Sequence, residues 1–354
     1  MLIAEAVSDY TESMALAHHS DSVDIYSCSW GPMDDAKNLV GPGRLMKMTL
    51  ERGVRNGRGK KGNIFMWAGG NGRQHNDNCN YDGYANSRFT FAIGAIDKDG
   101  QQSWYSEPCA ALIGVTPSSG SRKGITTTDI TGSGGYVSGE CTDGFGGTSS
   151  ACPLAAGVVA LMLEARPELT WRDVQHVIAK HAVQVDTGLI SSGDWNTNER
   201  GFHHSHRYGF GLLRAPDLVD GAKSHALVPP QKGYSQVANI RRREIPNNGG
   251  HLSVPISIRG SGISFIEHVT LEVRANHPRR GELGIRVRSP EGVVSVLAER
   301  RSDTHAGVNW TFFTIRHFGE QQADGKWHVE LEDLSPHNSY HGRIDYLKIN
   351  IYGY

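Results

Sequence analysis

The apolar residues of this chain change their repeat once, near residue 226. Before that point, short unbroken apolar runs such as VDIYSCSW (23–30), NIFMWAGGNG (63–72), FTFAIGAI and AALIGVT alternate with segments of helical spacing. Among the helical segments are GRLMKMTLERGVRNGRGKKG (43–62) and TWRDVQHVIAKHA (170–182), the latter opening on a Thr170–Asp173 capping box. Strands alternating with helices predict an α/β domain with a largely parallel sheet. After that point no helical segment remains. HLSVPISI (251–258), HVTLEVRAN (268–276), GELGIRVRSP (281–290), VVSVLAE (293–299), NWTFFTIRHF (309–318), KWHVELED (326–333) and YLKINIYGY (346–354) alternate with period two between turn residues. Such a series predicts an all-β sandwich or jelly roll. The chain therefore divides into residues 1–225 and 226–354.

With 354 residues and 38% hydrophobic content, the chain is long enough for two ordinary cores. A net charge of −1 argues against nucleic acid as the partner. No run approaches the ~20 apolar residues of a membrane span, and Glu5, Asp9 and Glu12 interrupt any signal-peptide core at the start. Five cysteines, Cys28, Cys79, Cys109, Cys141 and Cys152, leave at least one unpaired within the chain.

The chemistry concentrates in GFGGTSSACPLAAG (144–157), where Thr-Ser-Ser precedes a helical run from Pro153 to Glu164 with Leu154, Val158, Leu161 and Met162 at core spacing. A serine there has two readings. It caps the helix by satisfying an orphan N–H, or it is a nucleophile whose oxyanion is held by the exposed amides of the helix start. His203, His204 and His206 form a histidine cluster without a matching Cys or His framework, and they read as structural.

The surroundings favour the second reading. GGTSSACPLAAG resembles the nucleophile motif of subtilisin-like serine proteases. DIYSCSWGPMDD (24–35), WAGGNG (67–72), DNCNYDGYANS (77–87), WYSEPC (104–109), LTWRDVQH (169–176), SHRYGFGLL (205–213) and HPRRGEL (277–283) resemble the kexin/furin proprotein convertases in order and spacing, the type 7 branch most. The resemblance implies that 1–225 is the C-terminal portion of a subtilisin-like catalytic domain and 226–354 its β-sandwich P domain.

It further implies that Ser149 is the nucleophile and Asn71 the oxyanion-hole residue. Asp34 and Asp82 match the acids of an S1 pocket for arginine, where a carboxylate must offset guanidinium desolvation; Trp30 and Tyr84 fall at substrate-binding positions. Asp34, Asp77 and Glu107 match the oxygen ligands of a Ca²⁺ ion, and Cys79 and Cys109 match a disulfide. Cys141 matches a cysteine whose partner lies further upstream, and Cys28 and Cys152 read as buried thiols. Val40 stands where an acid for a P4 arginine is usual, and Ala6 replaces a second one. In such enzymes the triad runs Asp, His, Ser along the chain, yet no matching Asp or His segment precedes DIYSCSWGP. The expectation is a calcium-dependent serine endopeptidase of the secretory pathway, cleaving protein or peptide substrates after paired basic residues, present as a fragment without normal activity by itself. The alternative is a non-catalytic pseudoprotease or regulatory protein that keeps the arginine pocket. A carbohydrate- or protein-binding role for the β-rich half has no motif behind it. Asn309-Trp310-Thr311 is an N-glycosylation sequon, and Arg241-Arg242-Arg243 is a basic turn.

Overall fold

The structure is a computed structural model that describes residues 7–120, 123–186, 188, 194–241, 243–335 and 341–354. Ala6 and Arg242 lie outside the described residues. Helix α1 (Asp9–Ala17) precedes strand β1 (Ile25–Cys28), helix α2 (Arg44–Lys60) and strands β2 (Ile64–Ala68), β3 (Thr90–Ile96) and β4 (Leu112–Pro117). The four strands form one parallel sheet in the order β1-β2-β3-β4. Ile64, Phe65, Met66 and Trp67 are all fully buried, as a parallel strand covered on both faces requires.

A hairpin of β5 (Ile125–Thr128) and β6 (Cys141–Phe145) leads into α3 (Thr148–Ala165), followed by α4 (Trp171–His181), β7 (Asn196–Thr197), β8 (His203–His204) and α5 (Ala215–Ser224). Helix α3 crosses all four sheet strands and also touches α5. Its buried face is not the one that helical spacing of large residues suggests. Ala151, Cys152, Ala155, Val159 and Met162 are fully buried, whereas Leu154 and Leu161 are 39% and 48% exposed. Small residues let the helix axis approach the sheet closely, so the narrow alanine face wins the central position. Helix α3 is long and apolar enough to cross a membrane by composition, but half of it is packed inside the protein. The Thr170–Asp173 capping box that opens α4 forms with both of its hydrogen bonds.

The rest of the chain is antiparallel. Strands β9 (Lys232–Val237), β10 (Glu244–Ile245), β11 (His251–Ile258), β12 (Ile266–Asn276), β13 (Leu283–Arg288), β14 (Val294–Ala298), β15 (Val308–Thr314), β16 (Gly325–Asp333) and β17 (Gly342–Gly353) build two sheets. One runs β10-β17-β12-β15, with β9 also on β17, and the other β11-β16-β13-β14. Strand β11 alternates exposed and buried along its whole length. Its inward residues join Trp327, Leu271 and Ile349 in a core between the sheets.

The two halves share a buried seam. Glu267 at the start of β12 accepts from Arg172 Nη2 at 2.7 Å and hydrogen-bonds the His176 ring at 2.7 Å, both on α4. Burial would raise the Glu267 pKa, but the His176 and Arg172 hydrogen bonds outweigh it and hold the carboxyl at about 2. Strand β15 ends its sheet, and its outer backbone is met by the loop after β2. Asn80 Nδ2 donates to Phe313 O, and Asn86 donates to Thr311 O while accepting from Phe313 N, each at 2.7 Å. Two side-chain amides thus do what a further strand would do for an exposed edge.

Candidate active site

Parallel strands deliver their loops to one rim, the usual place for a ligand site in an open α/β sheet. The loop after β1 carries Trp30 and Asp34. The loop after β2 carries Asn71, Asp77, Asp82 and Tyr84, and the β3–β4 connection carries Glu107. Helix α3 brings Ser149 to the same rim.

The turn into α3 depends on glycine. Gly147, the N-cap, has φ +79°, and a Cβ there would stand 3.3 Å from Asn71 Oδ1. That close approach lets Thr148 donate to Asn71 Oδ1 from its N–H at 2.8 Å and its hydroxyl at 3.0 Å. The Asn71 backbone N–H in turn donates to Asp34 Oδ2 at 2.8 Å. Thr148 is therefore the residue that fixes the Asn71 carboxamide, a role nothing in the sequence singled out. The two serines part company here. Ser150 is buried, 2.6 Å from Ser118 Oγ, and donates to Gly147 O. Ser149 is half-buried, and its hydroxyl makes no hydrogen bond among the described residues.

Four carboxylates gather beside this helix start. Gly72 N–H donates to Glu107 Oε1 at 2.8 Å, and Ala36 N–H donates to Asp77 Oδ2 at 2.7 Å. A Cβ on Gly70, at φ +96°, would sit 2.5 Å from Glu107 Oε1, so glycine keeps that carboxylate's place open. Glu107 is held well above the ordinary range by burial and by the charges of Asp77 and Asp34. Burial also raises Asp34, against hydrogen bonds from Asn71, and raises Asp77 despite the nearby Arg301 guanidinium. Asp82 is pushed to about 7 by burial, offset in part by the Tyr84 amide and reinforced by Asp34 and Asp77. The cationic partner of this group comes from the β-sandwich. Arg301 Nη1 lies 3.3 Å from Asp77 Oδ1, its Nε donates to Ala36 O at 3.1 Å, and its guanidinium stacks 3.9 Å over Tyr81. Arg301 sits in a run of charged residues whose pattern gives no sign of this contact.

Trp30, Trp67 and Tyr84 form an aromatic wall with ring centroids 4.8–5.0 Å apart. The Tyr84 hydroxyl donates to buried Glu12 at 2.7 Å, a carboxylate the sequence reading passed over. Val40 is 47% exposed, and its carbonyl accepts from Gly83 N–H. Cys79 and Cys109 form a disulfide that ties the loop after β2 to the β3–β4 connection. Cys28 and Cys152 are buried free thiols and Cys141 an exposed one.

Asp34, Asp77 and Glu107 interact electrostatically, but no group of three or more His, Cys, Asp or Glu side chains is arranged as a metal cage among the described residues. His204 pairs with Leu112 O, and His206 accepts from Val296 N–H, with burial lowering the pKa of both.

A serine at the start of a central helix, with an asparagine-bearing turn beside it, agrees with the family comparison. Residues 2–211 match the model of the subtilase family, and residues 266–351 match the proprotein convertase P-domain. The chain belongs to the subtilase family. It is 43% identical to mouse proprotein convertase subtilisin/kexin type 7, over 98% of this chain and 46% of that protein. It is 37% identical to kexin of Candida albicans, over 93% of this chain and 36% of that protein. The chain thus spans about half, or less, of the length of these relatives. The Aeromonas sobria serine protease, solved with its chaperone, superposes with a TM-score of 0.84 at 19% identity, covering 98% of this chain and 74% of that one. At that identity the likeness establishes the fold, a subtilisin-like parallel sheet followed by an antiparallel P domain.

Proposed function

We propose that this chain carries the nucleophile and the arginine pocket of a calcium-dependent serine endopeptidase that cleaves proproteins after paired basic residues in the secretory pathway. The observation that carries the reading is the convergence of Asp34, Asp77, Asp82 and Glu107 on the rim that also presents Ser149, where Arg301, itself shared with Asp303, pairs with Asp77. Carboxyl groups buried together, each opposing the ionisation of the others, favour a cationic ligand that would let them ionise. A P1 guanidinium entering between Asp82 and Asp34 gains charge-assisted hydrogen bonds that offset its desolvation. The Trp30 and Tyr84 rings wall the neighbouring substrate positions. With the arginine seated, Ser149 Oγ bonds to the next carbonyl carbon as its proton passes to a general base, and the amine leaves in a later step. The Ser149 amide and the Asn71 carboxamide, oriented by Thr148, receive the oxyanion. Exposed Val40 offers no charge for a P4 arginine, so selectivity rests on the pocket acids.

The oxygen-only set of Asp34, Asp77 and Glu107 fits a hard cation, because the three carboxylates oppose one another's ionisation while buried. Bound Ca²⁺ supplies the positive charge that keeps these acids ionised and the loops of the pocket in place.

Calorimetric binding of Lys-Arg-amide, compared with Lys-Gln-amide, tests the reading. Binding of the first alone, weakened in Asp82→Asn, is expected; equal binding of both refutes the arginine pocket. A non-catalytic arginine-binding role draws on the free Ser149 hydroxyl. Labelling of Ser149 by a fluorophosphonate separates the two roles, since a serine without an activating base reacts no faster than a free hydroxyl.

A further inference from the structure

On the far side of Asp77 from the pocket, a second cleft of about 710 Å³ opens along the seam between the two domains. Its size falls within the ~300–1,000 Å³ of small-ligand sites. The catalytic side contributes Arg73 and Arg207, and the P domain contributes Arg279, Arg300 and Arg301. Three carboxylates share the lining, Asp77, Glu282 and Glu299, and each is already engaged. Asp77 holds Arg301 at 3.3 Å, Glu282 holds Arg279 at 3.4 Å, and Glu299 accepts from Asn78 Nδ2 at 3.1 Å.

Arg73, Arg207 and Arg300 are left over, and none of them forms an ion pair among the described residues. Arg73 is not an ordinary solvated surface arginine. It is half-buried, its guanidinium's one hydrogen bond among the described residues is a 3.5 Å contact to Ser103 O, and burial followed by the charge of Arg207 makes that guanidinium harder to keep protonated. Desolvating one guanidinium beside another is unfavourable, and the carboxylate near Arg207, Asp194, is already held by Ser205 and His206. A tetrahedral oxyanion relieves that repulsion and accepts forked hydrogen bonds from several guanidinium groups together.

We propose that this interdomain cleft is an anion site that takes a sulfate or phosphate group, held by Arg73 and Arg207 from the catalytic domain and Arg300 from the P domain. The ligand joins residues of both domains, so binding tightens the seam. It also sits against Arg301, which reaches Ala36 O, Asn38 O and Asp77 on the catalytic side. The inference does not depend on the protease reading, since none of its three arginines belongs to the carboxylate group or the helix start.

The test is thermal unfolding of the intact chain titrated with inorganic sulfate, chloride being exchanged to hold ionic strength constant. Sulfate stabilises proteins generally by exclusion from their surfaces, an effect that grows without saturating. A site instead gives a saturable rise in the midpoint. Arg73→Gln with Arg207→Gln is expected to move half-saturation up by about tenfold or more. Arg300→Gln, at an exposed position that needs no repacking, is expected to shift it in the same direction. A sulfated disaccharide and its desulfated form make the second arm. Saturation by inorganic sulfate assigns the site to the free anion. Saturation by the sulfated disaccharide alone, lost in the same variants, assigns it to the ester. A non-saturating response to every ligand, or half-saturation unchanged in the variants, overturns the proposal.

Discussion

If a substrate guanidinium pairs with Asp82 as proposed, proton competition at Asp82 should make its binding depend on pH. With its pKa raised to about 7 by burial, Asp82 holds a proton in the folded chain through much of the mildly acidic range. A folded-state pKa above the ordinary aspartate value means that ionisation opposes folding. That penalty sets in as pH rises past about 4 and is complete above about pH 7. A guanidinium ligand reverses it by pairing with the ionised form, so binding below pH 7 must expel a proton. About half of Asp82 is ionised at pH 7 and about one part in a hundred at pH 5, so affinity for Lys-Arg-amide should fall about 50-fold over that interval. An ordinary aspartate would be more than nine-tenths ionised at pH 5 and give almost no change. Titration calorimetry in two buffers of different ionisation enthalpy reads both quantities, affinity and proton release. Close to one proton should leave per ligand at pH 5.5 and few above pH 8. Asp34 faces the same space with its own pKa raised, so Asp82→Asn is the necessary control: it should weaken binding and flatten the profile. Affinity that is constant from pH 5 to 7.5, or a slope that survives in Asp82→Asn, would refute the reasoning.

Ser150→Ala should cost about 0.5–1.5 kcal/mol in urea unfolding because it removes a buried hydroxyl bonded to Ser118 Oγ and Gly147 O, while Ser118 keeps Gly147 O and the Tyr105 hydroxyl, whereas Ser149→Ala should stay within about 0.5 kcal/mol. Glu267→Gln leaves Arg172 buried without its counter-charge and should destabilise by about 3–5 kcal/mol. Because the Glu267 pKa is depressed to about 2, its contribution is complete above about pH 4.5 and lost as pH falls toward 2. Urea midpoints of the parent and the variant should therefore converge over that acid range. Ca²⁺ titrated at pH 6 should release protons as buried Glu107 ionises, and Glu107→Gln should remove most of that release; a calcium response without proton release would count against the carboxylate set.

Where one local rule governs an element, the sequence is enough to find it. Thr170 and Asp173 satisfy each other's backbone within one turn, and the opening of α4 follows from those two residues alone. The alternation of β11 likewise follows from having one face on the core and one in water. Helix α3 shows where that logic stops. It is apolar nearly all round, so periodicity supplies no unique inner face, and large Leu154 and Leu161 point to the wrong one. The decision comes from packing distance, because only the Ala151–Ala155 face lets the helix lie against four strands.

The candidate site divides along the same line. Asn71 and the clustered acids lie in loops at strand ends and Ser149 opens α3 just after a glycine turn, where motif order brings them to notice. What holds those turns is invisible in one dimension. Asn80 and Asn86 look like ordinary loop residues until the free edge of β15 is set beside them, and Arg301 looks like a solvated charge until Asp77 is placed 3.3 Å away. Each of these contacts joins residues from different domains, so no local pattern can encode it. Each also answers a need of its own domain, an unpaired strand edge in one case and a crowd of carboxylates in the other. The P domain therefore does more than pack beside the catalytic sheet. Its outermost strand and one arginine complete the loop that carries Asp77 and Asp82, so the geometry of that loop depends on both domains being folded.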